Sequence, residues 1–151
     1  HDTKYLNMRI GMNSRLDAIQ AAILRIKLSI FADEIEARNR VAARYNRALA
    51  EHVQAVPTVR EGVISNWAQY TIEHRNRDGL QAHLNAQDIP SAVYYPVPMH
   101  MNEAYKRFAP PPGTLAVTEA KAKSVVSLPM HPYLDEATQD TIIAAVIGFN
   151  G

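Results

Sequence analysis

Two stretches of this sequence bring residue types that could do chemistry into close spacing. In "GMNSRLD", Gly11, Asn13 and Arg15 stand just ahead of an apolar-periodic run. Helix N-termini bind anions through free N–H groups and the positive end of the helix dipole. An asparagine amide and an arginine fork beside such an end suit a phosphate. A capped helix carrying a surface arginine is the alternative reading, and spacing alone does not separate the two. In "AVYYPVPMH", Tyr94 and Tyr95 run into Pro96, Pro98 and then His100. Strand alternation sends the two rings to opposite faces, and the prolines stiffen the exit and remove two backbone donors. A rigid loop after a strand is where scaffolds present binding residues. A strand end with one packed tyrosine is the alternative here.

Other chemistries find little support. The six histidines are scattered, with no i,i+4 or H-x-H spacing, so no metal site is expected. No nucleophile elbow, P-loop or dinucleotide fingerprint is present. Cysteine is absent, which removes disulfides, thiol catalysis and cysteine-ligated metals. Sixteen basic residues almost cancel fifteen acidic ones, and the arginines from Arg38 to Arg47 share their helix with Glu34 and Glu36. That pattern reads as a solvated helix face rather than a nucleic-acid surface. No apolar run approaches the roughly 20 residues needed to cross a bilayer, and no secretory leader is legible, so the cytoplasm is the default compartment.

The elements that must position these residues follow from periodicity. At 151 residues, 47% hydrophobic and 21% charged, the chain is about one domain long. Leu16, Ile19, Ile23, Ile26 and Ile30 recur at helical spacing, with Ser14 and Asp17 as a capping-box-like start. A second helix is expected from about Asp33 to Val53. Its buried stripe would be Ile35, Ala42, Tyr45 and Leu49, with Glu34–Arg38 and Glu36–Arg40 as i,i+4 pairs. "VQAVPTV" and "NWAQYTIEH" read as strands, the second with Trp67 and Tyr70 on opposite faces. A helix opened by Asn76 or Asp78 stops before Pro90, and "SAVYY" returns to strand. A helical turn near Asn102–Phe108 follows, then a helix capped by Thr114 and running to about Lys123. "SVVSL" is a strand, and a closing helix turns Ile142, Ile143, Val146 and Ile147 to a core. Strands separated by helices predict a small mixed or antiparallel sheet with helices on one face, an α/β (α+β) unit. The first helix stands apart from that pattern. Together with the start at His1, it predicts a processed chain or part of a longer one.

Four stretches in register, "RIGMNSRLDAIQAAIL", "EIEARNRVAARYNRAL", "QYTIEHRNRDGLQAHLNAQDIPSAVYYPVPMH" and "SVVSLPMHPYLDEATQDTI", resemble the C-terminal portion of the DegT/DnrJ/EryC1/StrS family. These are aminotransferases dependent on pyridoxal 5'-phosphate (PLP) that act on nucleotide-linked keto sugars. The resemblance implies a fold-type I aminotransferase, with residues 1–31 ending a large PLP domain and residues 32–151 forming the small C-terminal domain. It implies that Asn13 reaches the PLP phosphate of a neighbouring subunit, and that Arg15, Tyr94 and Tyr95 bind the nucleotide sugar. It therefore implies a homodimer and an amino-acid donor such as glutamate. His100 and His131 are expected to be structural. Lys4, Lys27, Lys106, Lys121 and Lys123 all lie outside the family's cofactor-lysine context, so no catalytic residue is assigned. Transamination needs that lysine to hold the cofactor and move a proton. The 151 residues alone are therefore expected to be inactive. Asp88 stands where relatives often have glycine and is expected to adopt a left-handed cap. A stand-alone α+β binding module without catalysis, or a sugar-nucleotide-binding relative without PLP chemistry, are the alternatives.

Overall fold

In the computed structural model, which describes residue 11 and residues 16–151, the sheet is built on one antiparallel pair. Strand β1 (Tyr70–Glu73) pairs with β2 (Val125–Leu128), with Tyr70 opposite Leu128 and Glu73 opposite Val125. Single bridges widen it on both sides, Ala55 to Glu73 and Ala92 to Ser127. The expected strands "VQAVPTV" and "SAVYY" shrink to these bridges. Pro57, Pro90 and Pro96 flank the paired residues, and proline has no N–H to continue a ladder.

Register sorts the sheet's side chains by face. Tyr70, Ile72, Val126 and Leu128 point one way and are buried. Against them pack α2 (Phe31–Leu49), α3 (Arg77–Asn85) and α5 (Glu136–Ile147). Each helix contributes a stripe at helical spacing: Val41, Tyr45 and Leu49; Leu80 and Leu84; Ile142, Ile143 and Val146. Each such leucine or isoleucine contributes about 1.5–3 kcal/mol through burial. Polar groups inside this core are satisfied. The Tyr70 hydroxyl donates to Asn46 Oδ1 at 2.6 Å, Tyr45 to the Pro129 carbonyl at 3.1 Å, and Gln139 Nε2 to the Val41 carbonyl at 2.8 Å.

Several boundaries differ from the sequence expectation for identifiable reasons. Helix α1 (Ala18–Ser29) is capped by Asp17, whose carboxylate accepts from Gln20 N at 2.8 Å; Ser14 lies outside the described residues. Helix α2 ends at Leu49 rather than near Val53. Glu34 pairs with Lys27 at 3.3 Å instead of with Arg38, and no Glu36–Arg40 pair forms among the described residues. Ile147 stays exposed, and Gln139 and Ala145 complete the buried stripe of α5. Trp67 shares the core face with Tyr70, ring centroids 5.9 Å apart, because it precedes the strand with φ +47° and escapes the alternation. Thr114 is not a cap: its hydroxyl donates to the Pro111 carbonyl, and α4 (Ala116–Ser124) begins after Leu115. The Asn76 cap of α3 is as expected, with Gly79 N donating to Asn76 Oδ1 at 3.0 Å. A Cβ at Gly79 would stand 2.5 Å from Asn76 Nδ2, so a larger residue there would require the asparagine amide to shift. Asp88 does sit at φ +57°.

Helix α1 behaves unlike the rest. Its apolar residues recur on schedule, yet Ile19 is 75% and Ile26 73% exposed, and the helix buries no residue among those described.

Candidate functional site

The opposite face of the sheet carries Thr71, Glu73, Val125 and Ser127. Thr71 Oγ1 and Ser127 Oγ lie 2.8 Å apart, so this face is polar and only partly covered. Here Val125 helps to line a cavity of about 760 Å³. Helix α4 forms one wall through Val117, Thr118, Lys121 and Ala122. With Val125 these residues recur at i, i+4 and i+8, one face of a helix leading into β2. The opposite wall is Tyr94, Tyr95, Val97 and Pro98, continued by Met99 of the 3₁₀ turn Met99–Met101 and by Asn102, which joins that turn to a second, Glu103–Phe108.

The tyrosine pair therefore meets in one place. Both rings line the cavity, 5.6 Å apart and edge to face, rather than lying on opposite faces. Beyond the Ala92 bridge the segment leaves the sheet, so strand alternation no longer applies to it. Tyr95 is 60% exposed, an aromatic surface presented to whatever enters. The Ala92–Ser127 bridge, with bonds of 3.1 and 2.7 Å in the two directions, anchors this loop to β2.

Several contacts hold the walls together. His100 Nε2 lies 3.1 Å from Glu119 Oε1, tying the first 3₁₀ turn to α4. Arg77 donates to the carbonyls of Ala122 (3.4 Å) and Val125 (3.3 Å), fastening the end of α4 to α3. Lys121 forms an ion pair with Glu73 on the exposed side of β1. His131 Nδ1 accepts from the backbone N of Tyr133, a turn-closing role. Asn13 and Arg15 lie outside the described residues. Lys121 and the buried Asn102 had no local signature in the sequence; the 117/118/121/122/125 spacing was the signal that could have found the helical wall.

A second polar cluster joins α1 to the rest. The Tyr133 hydroxyl donates to Glu34 Oε1 at 2.6 Å, and Lys27 Nζ reaches the same oxygen at 3.3 Å. The Tyr133 hydrogen bond, then Lys27, hold the Glu34 carboxyl below its ordinary range against the opposing effect of desolvation. The same bond pushes the Tyr133 hydroxyl up. Among the described residues, no group of three histidines or carboxylates is placed to hold a metal ion. No helix there is long and apolar enough to cross a membrane.

The sequence profile of the DegT/DnrJ/EryC1/StrS aminotransferase family matches residues 1–147. The chain belongs to that family. A Pseudomonas aeruginosa PAO1 relative named UDP-2-acetamido-2-deoxy-3-oxo-D-glucuronate aminotransferase is 44% identical over 145 residues, covering 96% of this chain and 40% of the relative. A Streptomyces venezuelae relative named dTDP-3-amino-3,4,6-trideoxy-alpha-D-glucose transaminase is 38% identical over 144 residues, covering 95% of this chain and 38% of its own. Among solved structures, a DegT DnrJ EryC1 StrS aminotransferase from Brucella abortus is 54% identical with a TM-score of 0.85, over all of this chain and 40% of that one. The S. venezuelae enzyme DesV, in complex with a ketimine intermediate, is 36% identical with a TM-score of 0.83 over 97% of this chain and 40% of its own. These neighbours are fold-type I aminotransferases, and the small antiparallel sheet with its helices belongs to that architecture. The chain spans about two-fifths of the length of the relatives it matches.

Proposed function

We propose that this chain supplies the substrate wall of a PLP-dependent aminotransferase acting on a nucleotide-linked keto sugar. One observation carries the reading. In a chain of this family, Tyr94 and Tyr95 converge with α4 on a cavity of about 760 Å³, a volume that suits a nucleotide sugar better than an amino acid alone. The names of the relatives from P. aeruginosa and S. venezuelae, both nucleotide-sugar aminotransferases, support the same substrate class. In this reading Tyr94 and Tyr95 stack against the ligand, while Asn13 and Arg15 serve the cofactor phosphate and the nucleotide sugar across a homodimer interface. Glutamate is the proposed amino donor. Residues 1–31 belong to the end of a large domain and residues 32–151 to the small one, which accords with α1 burying no residue.

The described residues do not themselves fit PLP. Lys121, the lysine among the cavity's described lining, is paired with Glu73, and Lys27 and Lys106 are paired with Glu34 and Glu103. When bound, PLP supplies the electron sink for moving an amino group. In this reading the lysine that holds it lies outside these 151 residues, and the chain alone is inactive. Two measurements test the reading. Isothermal titration should detect binding of a nucleotide sugar that Tyr95→Ala weakens; equal binding by the variant removes Tyr95 from the pocket. Added PLP should give no stable visible band from covalent attachment. A band that disappears when one lysine is replaced would defeat the second half of the proposal.

A further inference from the structure

We infer that Lys121 receives the anionic group of the ligand, with Glu73 as the counter-ion that holds it in place between ligands. The inference rests on the reading of the cavity as a sugar-nucleotide pocket. Among the described residues that line the cavity, Lys121 is the sole cation; the others are tyrosines, Asn102, Thr118 and apolar side chains. A ligand with a diphosphate or a sugar carboxylate has no other charged partner among the described lining residues. Val97, Pro98, Val117 and Val125 surround the site with low-dielectric walls, which strengthen an ammonium–oxyanion contact relative to water.

The pair is built asymmetrically. The Glu73 side chain is 16% exposed and that of Lys121 is 52% exposed. Glu73 is also fixed through its backbone, with N–H to the Ala55 carbonyl and its own carbonyl accepting from Gln54 N, both at 2.9 Å. The carboxylate is thus an anchored member of the sheet, while the lysine side chain is half exposed at the cavity wall. A lysine ammonium has three donors, and Glu73 is the one partner described for it. Two donors remain for ligand oxygens without breaking the anchor. A compact point charge on a flexible stem suits a phosphate or a monodentate carboxylate. The anchor restrains the lysine side chain at the cavity wall, so less side-chain entropy is lost when the ligand arrives.

Isothermal titration of the 151-residue chain with UDP, UDP-N-acetylglucosamine and UDP-glucuronate tests this. If the diphosphate is the group received, Lys121→Gln weakens all three about tenfold. If the sugar carboxylate is received, Lys121→Gln weakens UDP-glucuronate alone. Lys121→Arg should keep most of the affinity, and Glu73→Gln, which loses the anchor, should weaken binding less than Lys121→Gln does. Urea midpoints of the Lys121 variants should stay close to the parent's, because the lysine is half exposed. Unchanged affinity of Lys121→Gln for all three ligands overturns the inference while leaving the pocket reading intact. So does a Lys121→Arg variant as weak as Lys121→Gln. A parent chain that binds none of the three overturns the pocket reading, and the role of Lys121 falls with it.

Discussion

The two faces of one small sheet hold two pairs of tyrosines, and the pairs have opposite characters. On the helix-covered face Tyr45 and Tyr70 are fully buried, with ring centroids 4.8 Å apart and both hydroxyls bonded to fixed acceptors. Burial pushes both hydroxyls far above the usual tyrosine range, so neither ionises in ordinary conditions. On the other face Tyr94 and Tyr95 stand at a cavity edge, partly open to solvent. A buried aromatic whose polar tip is satisfied contributes stability. One held at a cavity edge by a stiff loop, with part of its ring exposed, presents that ring to a ligand. The same residue type thus serves the fold on one side and the ligand on the other. What divides the roles is whether helices close over the face or leave a cavity between α4 and the tyrosine loop.

The strongest way to break this division is Tyr70→Ala. It should cost about 3–5 kcal/mol in urea unfolding followed by Trp67 fluorescence, because it empties the space between α2 and the sheet. A cost below 1 kcal/mol would mean that the core face collapses as readily as the open one. Tyr70→Phe keeps the ring and removes the donor to Asn46 Oδ1, with an expected loss of about 1–2 kcal/mol in the same assay. Asn76→Ala, at the cap of the helix covering the core face, should cost about 1 kcal/mol in thermal unfolding.

Smaller effects sharpen the comparison at the margins. Glu34 has a folded-state pKa held below its ordinary value, chiefly by the Tyr133 hydroxyl. Its stabilising contribution is therefore complete above the ordinary glutamate pKa of about 4.3. It is lost as pH falls below that value and through the lowered folded one. Tyr133→Phe should shrink this acid-side loss, read as a flatter dependence of urea midpoint on pH between neutral and acid solution. An unchanged profile would mean that Lys27 alone sets the carboxyl. The smallest stability effect belongs to Tyr95→Ala, within about 0.5 kcal/mol in urea unfolding. A loss as large as that of Tyr70→Ala would erase the distinction between the faces.

Local signals were legible wherever neighbours within a few residues decide the outcome. Asn76 caps its helix through its own side chain, and Asp88 takes the left-handed backbone that ends the α3 segment. Tyr45 and Leu49 in α2, and Ile142 and Val146 in α5, were readable as core because helical period and burial coincide there. The reading failed where a distant partner decides. Trp67 and Tyr70 are separated by alternation on paper and share one face in space. The apolar repeat of α1 is as regular as that of α2 and lies open, since periodicity marks a face and says nothing about what covers it.

By itself the sequence determined the family, through four motifs in register, and with it the expectation of a sugar-nucleotide site around Tyr94 and Tyr95. Caps, helix stripes and the order of elements were local chemistry written along the chain. Only the tertiary structure decided that both tyrosines line one cavity, that Lys121 joins them from α4, and that Glu73 holds that lysine across the sheet. The physical reason is separation along the chain. Lys121 and Glu73 are 48 residues apart, and no local rule encodes their meeting until β1 and β2 pair.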